Sequence, residues 1–125
     1  MGVFGKTALK AVELYKNAVT KDPAAAWQRA IKDFTESPSS QKKGCPKSAF
    51  LGLCEEGLVS GIPPGEYTKS VKNKTYALRA LEALRKNPAL ALSSSALWNS
   101  IEKDAGSDQG EMDVVIALWN AGLIK

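Results

Sequence analysis

The 125-residue chain is 44% hydrophobic and 24% charged, the make-up of one globular domain over residues 1–125 and not of a disordered segment. A chain of this length buries roughly two-thirds of its unfolded surface around one core. No apolar run approaches the ~20 residues of a membrane span. Lys6, Lys10 and Glu13 interrupt what a secretory signal would need as its apolar region, so the cytoplasm is the expected location.

A first helix is predicted from about Gly5 to Val19, with Phe4, Ala8, Val12, Tyr15 and Val19 on its buried face. Asp22 is the predicted cap of a second helix that begins at Pro23 and buries Ala26, Trp27, Ala30, Ile31 and Phe34. From Glu36 to Gly44 the chain reads ESPSSQKKG, turn formers and lysines without an apolar residue, which predicts an exposed loop. A third helix follows. Pro46 suits its first turn, Ala49, Phe50, Leu53 and Cys54 make its buried stripe, and Gly57 with Leu58 is a Schellman-type stop.

Two prolines and two glycines in SGIPPGEYT, residues 60–68, mark a connector, beside which Leu58 to Ile62 can pair briefly with a neighbour. A fourth helix is predicted over Val71 to Lys86, with Ala77, Ala80, Leu81 and Leu84 inward and Lys72, Lys74, Arg79 and Arg85 outward. Pro88 closes it. A fifth, capped from Ser93 to Ser95, buries Leu97, Trp98, Ile101 and Ala105 and stops at Gly106. The sixth has capping-box spacing at Asp108 and Glu111, buries Met112, Val115, Ile116 and Trp119, and ends at Gly122.

The two halves of this series correspond. ALKAVEL (8–14) matches ALRALEA (77–83), Trp27 and Ile31 answer to Trp98 and Ile101, and the Gly57 stop answers to the Gly122 stop. The expected fold is therefore all-α, with six helices as two tandem, duplicated three-helix units, about residues 5–62 and 70–125, in one compact domain.

Few residues offer chemistry. There is no histidine, and two cysteines alone complete no zinc site, so neither a metal nor a cofactor is expected. On one helix Cys45 and Cys54 stand about 13 Å apart at 1.5 Å per residue. A bridge tolerates less than about 7 Å, so both are expected as free thiols. Gly5-Lys6-Thr7 lacks the strand and the earlier glycine of a phosphate-binding loop. Glu55 and Glu56, about 100° apart on a helix, do not converge as an acid and base pair and are expected to be solvated. Trp27, Trp98 and Trp119 fall on apolar stripes, which assigns them to packing. Three helices ending in G-L-V or G-L-I resemble a helix-turn-helix reader, but the sixth would present Glu111 and Asp113 to a phosphate backbone. No catalytic residue is assigned.

The charge points to one place. Residues 41–86 hold nine bases against four acids, and residues 87–125 two against five. ESPSSQKKG, lengthened relative to its counterpart in the second half, brings Lys42, Lys43 and Lys47 to a helix N-terminus, beside Cys45 and Ser48. Lysines and free N–H groups together suit an anion or a partner's carboxylate. Lys42, Lys43, Cys45, Lys47 and Ser48 are therefore the candidate site of a helical binding or interaction module, with no enzymatic role. Its partner is a protein or an anionic ligand. Two other functions fit the same stretch: a nucleic-acid binder using the basic 41–86 segment, and a thiol-dependent enzyme or redox sensor at Cys45.

SQKKGCPKSAFLGLCEEGLVSGIPPGEYTKSVKNKTYAL together with MDVVIALWNAGLI resembles a family of small bacterial proteins with no assigned function. The resemblance implies a stand-alone bacterial cytoplasmic protein and carries over no catalytic residue.

Overall fold

The computed structural model describes residues 2–101 and 106–125, which form six helices of seven residues or more and no strand. They are α1 (Val3–Lys16), α2 (Pro23–Ile31), α3 (Gly44–Glu55), α4 (Val71–Lys86), α5 (Ser94–Ser100) and α6 (Glu111–Asn120). A one-turn helix, Pro38–Gln41, precedes α3, and a 3-10 segment, Pro88–Leu92, follows α4. The long flanks of α1 against α2 and of α3 against α4 are the main packings, and α6 lies against α1, α3 and α4. All six helices feed one hydrophobic core, in which Trp27, Phe50, Leu53, Leu84, Leu97 and Leu118 have no exposure.

The stops explain where the helices end. In α3 the Leu58 N–H donates to the Leu53 carbonyl (3.2 Å), and in α6 the Leu123 N–H donates to the Leu118 carbonyl (2.9 Å). Gly57 (φ 70°) and Gly122 (φ 73°) take the left-handed conformation the motif needs. The same motif ends α1, where Val19 N–H donates to Leu14 carbonyl (3.0 Å), but there Ala18 must hold φ 57°. The residues after the two glycine stops, Val59 and Ile124, are buried, and Ser60 N–H donates to Leu123 carbonyl at 2.8 Å. That single link is the brief pairing expected of the Leu58–Ile62 segment.

Beyond these stops the halves pack differently. α1 runs along α2, whereas α4 has its largest interface with α3 and a small one with the two-turn α5.

Several expectations need correction. Val19 lies beyond the end of α1 and is 47% exposed, because the chain has already turned at Ala18. Phe34 lies past the end of α2 and is only half-buried. The ESPSSQKKG stretch holds a helical turn, capped by Ser37 Oγ accepting from Ser40 N–H at 3.3 Å. α5 ends at Ser100, and Ile101 is extended; Ala105, expected on its inner face, lies outside the described residues.

Glu55 is not solvated. Its Oε1 accepts from the Tyr67 and Thr68 N–H groups (2.7 and 2.6 Å) and its Oε2 from Lys74 Nζ (2.8 Å), with 9% of the side chain exposed. Lys74, expected outward, is drawn to this carboxylate. Close contact of α3 with α4 makes the pairing possible: a Cβ on Gly52 would stand 2.7 Å from Lys74 Cβ. Burial pushes the Glu55 carboxyl up, but the Lys74 ammonium and the two backbone donors outweigh it and hold the group below the ordinary carboxylate range. The connector is thereby fastened to the end of α3.

Candidate functional site

The start of α3 is built by its neighbours. Gln28 on α2 donates from Nε2 to the Gln41 carbonyl (2.8 Å) and accepts from Lys47 Nζ at Oε1 (3.0 Å), so one side chain pins both the incoming turn and the first turn of α3. Lys43, the N-cap residue, provides no side-chain cap; its ammonium lies 5.3 Å from the centroid of the Phe4 ring on α1. Lys42 is exposed, and Ser48 is half-buried one turn further on.

Cys45 faces elsewhere. It borders a cavity of about 230 Å³ whose wall also includes Lys72, Tyr76, Trp98, Gln109 and Glu111. The five residues expected as one site are thus divided, with Lys43 and Lys47 engaged by α1 and α2 and Cys45 turned to α4 and α6. The wider basic segment is divided too, because Lys74 is committed to Glu55 and Lys72 lies 5.9 Å from the Tyr76 ring centroid.

Three helices begin at this cavity. Cys45 is the second residue of α3, Lys72 the second of α4 and Glu111 the first of α6. The N-cap residues Lys43, Ser70 and Gly110 make no side-chain cap bond. At α6 the cap comes from further back, since Asp108 Oδ1 accepts from Gly110 N–H (3.0 Å) and Met112 N–H (3.2 Å), while Glu111 Oε1 accepts from Gln109 N–H (2.6 Å). This is the expected reciprocal box, displaced by one residue.

Glu111 and Asp113 were expected on an exposed face, and neither is there. Glu111 is 2% exposed. Asp113 reaches across to α1, where Oδ1 accepts from Gly2 N–H (3.0 Å) and Oδ2 from Gly5 N–H (2.7 Å), and so caps another helix. Burial pushes the Glu111 carboxyl above the ordinary range; the backbone N–H groups of Glu111 and Gln109 pull it down without offsetting that, and Asp108 adds to the rise.

Tyr76 is the residue the sequence reading overlooked. It is 4% exposed, its ring meets Trp98 edge-on (centroids 5.3 Å apart, 85° between planes), and its buried hydroxyl has no hydrogen-bond partner among the described residues. Its position was readable, because Tyr76, Ala80 and Leu84 follow one another at i,i+4 spacing along the buried row of α4. Leaving such a hydroxyl unpaired costs about 1–3 kcal/mol.

A family model described as a family of unknown function, DUF6979, matches residues 1–125. The chain belongs to the DUF6979 family. No curated protein and no solved structure matches it. The family description assigns no activity, so the roles of residues in this DUF6979 chain rest on their geometry. Among its described residues no helix is long and apolar enough to cross a membrane. Its two cysteines are free and unlike: Cys54 is fully buried on the α3 stripe and burial drives its thiol far up, while Cys45 is half-buried at the cavity wall.

Proposed function

We propose that this protein is a small helical binding module, without catalytic activity, that engages its partner at the corner where α3 begins. The observation that carries this reading is the cavity beside Cys45, bordered by the first turns of three helices, with Lys42, Lys43, Lys47 and Ser48 on or next to the same turn. Lys42 is fully available to a partner there, and the contacts of Lys43 and Lys47 are a ring face and a neutral amide, both of which an anionic group can outcompete. The reading includes a bacterial, cytoplasmic setting, supported by the sequence resemblance. It also includes an internal duplication, supported by the matched glycine stops.

The test is affinity capture from an extract of the source organism with the wild-type protein and a Lys42→Ala, Lys43→Ala, Lys47→Ala variant. The variant is expected to keep its thermal midpoint within a few degrees, as surface substitutions do (within about 0.5 kcal/mol), and to lose the captured partner. Equal capture by both would defeat the reading.

A further inference from the structure

Among the described residues Glu111 is the one charged residue buried to 2% exposure, and no basic side chain pairs with it. Its Oε1 accepts from Gln109 N–H (2.6 Å), while Asp108 Oδ1 accepts from Gly110 N–H (3.0 Å) and Met112 N–H (3.2 Å). Two carboxyl groups are thus folded around the same piece of backbone, residues 109–112, with their side chains within hydrogen-bonding reach of each other. A hydrogen bond between two carboxyl groups requires one proton. With both groups ionised the same atoms repel.

The turn that the pair holds is also a wall. Ser107, Gln109 and Glu111 border the cavity of about 230 Å³ that Cys45 borders from α3. The other titratable groups on that cavity, Lys72 and Tyr76, come from α4, and the Lys72 ammonium lies 5.9 Å from the centroid of the Tyr76 ring. α5 contributes the uncharged Trp98, and α1 brings the Phe4 ring against Gly110. Asp113, on the same turn of α6, is turned to the Gly2 and Gly5 N–H groups.

We infer that Asp108 and Glu111 form a proton-operated clasp at the start of α6: sharing one proton, the pair closes the 107–112 turn over the cavity, and with both groups ionised it loosens the turn and uncovers Cys45. The clasp governs access to Cys45 and does not depend on what the lysine corner binds. Burial, with Asp108 adding to it, holds the Glu111 carboxyl above its ordinary range in the closed turn. In the opened turn the group is solvated and returns to about 4.3. Its contribution to closure is therefore complete below about 4.3 and is lost as the pH rises through the closed-state value. The turn is held more tightly in mild acid than at neutral pH.

The experiment follows the full chain by NMR from about pH 4.5 to about pH 8, where the Glu55 latch keeps its charge. The carboxyl carbon of Glu111 gives its titration midpoint. Amide hydrogen exchange at Gln109, Gly110 and Met112, divided by the intrinsic rate at each pH, gives the opening of the turn. The expected result is a midpoint above about 4.3 and protection that falls as the pH rises, by up to about tenfold for each unit of that excess. Glu111→Gln keeps the acceptor for Gln109 N–H and offers Asp108 a permanent donor. It is expected to hold the acid-level protection at pH 8 and to slow alkylation of Cys45 there below the wild-type rate. Asp108→Asn is expected to lower the Glu111 midpoint. A Glu111 midpoint at or below about 4.3, protection without pH dependence, or the same falling protection in Glu111→Gln as in wild type overturns the inference. Where Glu111→Gln does not fold, Asp108→Asn decides, since an unmoved Glu111 midpoint in that variant overturns the pairing.

Discussion

Replacing Glu55 with Gln removes the charge from the side chain that holds the connector to α3 and leaves its shape. The two backbone donors at 2.7 and 2.6 Å keep an acceptor, now a neutral one, and the new amide N–H₂ is set against the Lys74 ammonium 2.8 Å from the old Oε2. Hydrogen bonds to charged groups contribute about 1.5–3 kcal/mol and neutral ones about 1. Lys74 retains Glu56 at 3.5 Å, which limits the loss. The expected destabilisation is about 2 kcal/mol at pH 7. With an unfolding entropy of about 2.1 cal/mol/K per residue, that corresponds to a fall of about 8 °C in Tm. The pH dependence has a definite sign. The folded-state pKa of Glu55 lies below its unfolded value, so its contribution is complete above the unfolded value of about 4.3 and is lost as the pH falls through the folded one. Urea denaturation of both proteins from pH 8 downward should show a constant gap to about pH 5 and a closing gap below about pH 4. A gap under about 0.5 kcal/mol at pH 7, or one that persists undiminished at pH 3, would refute the ionised latch.

Other substitutions test the fold at separate points. Ala18→Gly should stabilise by about 0.5–1 kcal/mol, because the residue holds φ 57°, while Gly122→Ala should cost about 1 kcal/mol for conformation alone, since nothing lies within 4 Å of the added Cβ. Calorimetry giving the same sign for both would contradict the stop assignments. Gly52→Ala should cost about 2–3 kcal/mol, because its Cβ would stand 2.8 Å from the Lys74 Cα and the two helices must part. A neutral outcome in chemical denaturation would show that the helices do not approach so closely. Asp113→Ala should cost about 1–2 kcal/mol and speed hydrogen exchange at Gly5, whose N–H it accepts at 2.7 Å; unchanged exchange there would remove Asp113 as the cap of α1.

Helical structure was legible wherever signals were local. Asp22 before Pro23, the Ala49–Phe50–Leu53–Cys54 stripe, the Val71–Lys86 span and the Gly57 and Gly122 stops all depend on neighbours within one or two turns, and all appear as expected. What a residue does across the fold was not legible. Glu55 read as a solvated acid and Asp113 as an exposed one, because their partners lie 13 and 108 positions away in the bonds that matter. The candidate site divides in the same manner. Lys42, Lys43 and Lys47 could be found by composition, whereas the approach of three helix N-termini around Tyr76 depends on packing alone.

The central claim, that binding takes place where α3 begins, can be tested without knowing the partner by incorporating a photo-crosslinking amino acid at Ser48 and, separately, at the exposed Asn99 of α5. Irradiation in an extract of the source organism should give a discrete covalent adduct from position 48 and none from position 99. An adduct from position 99 with none from 48 would contradict the account.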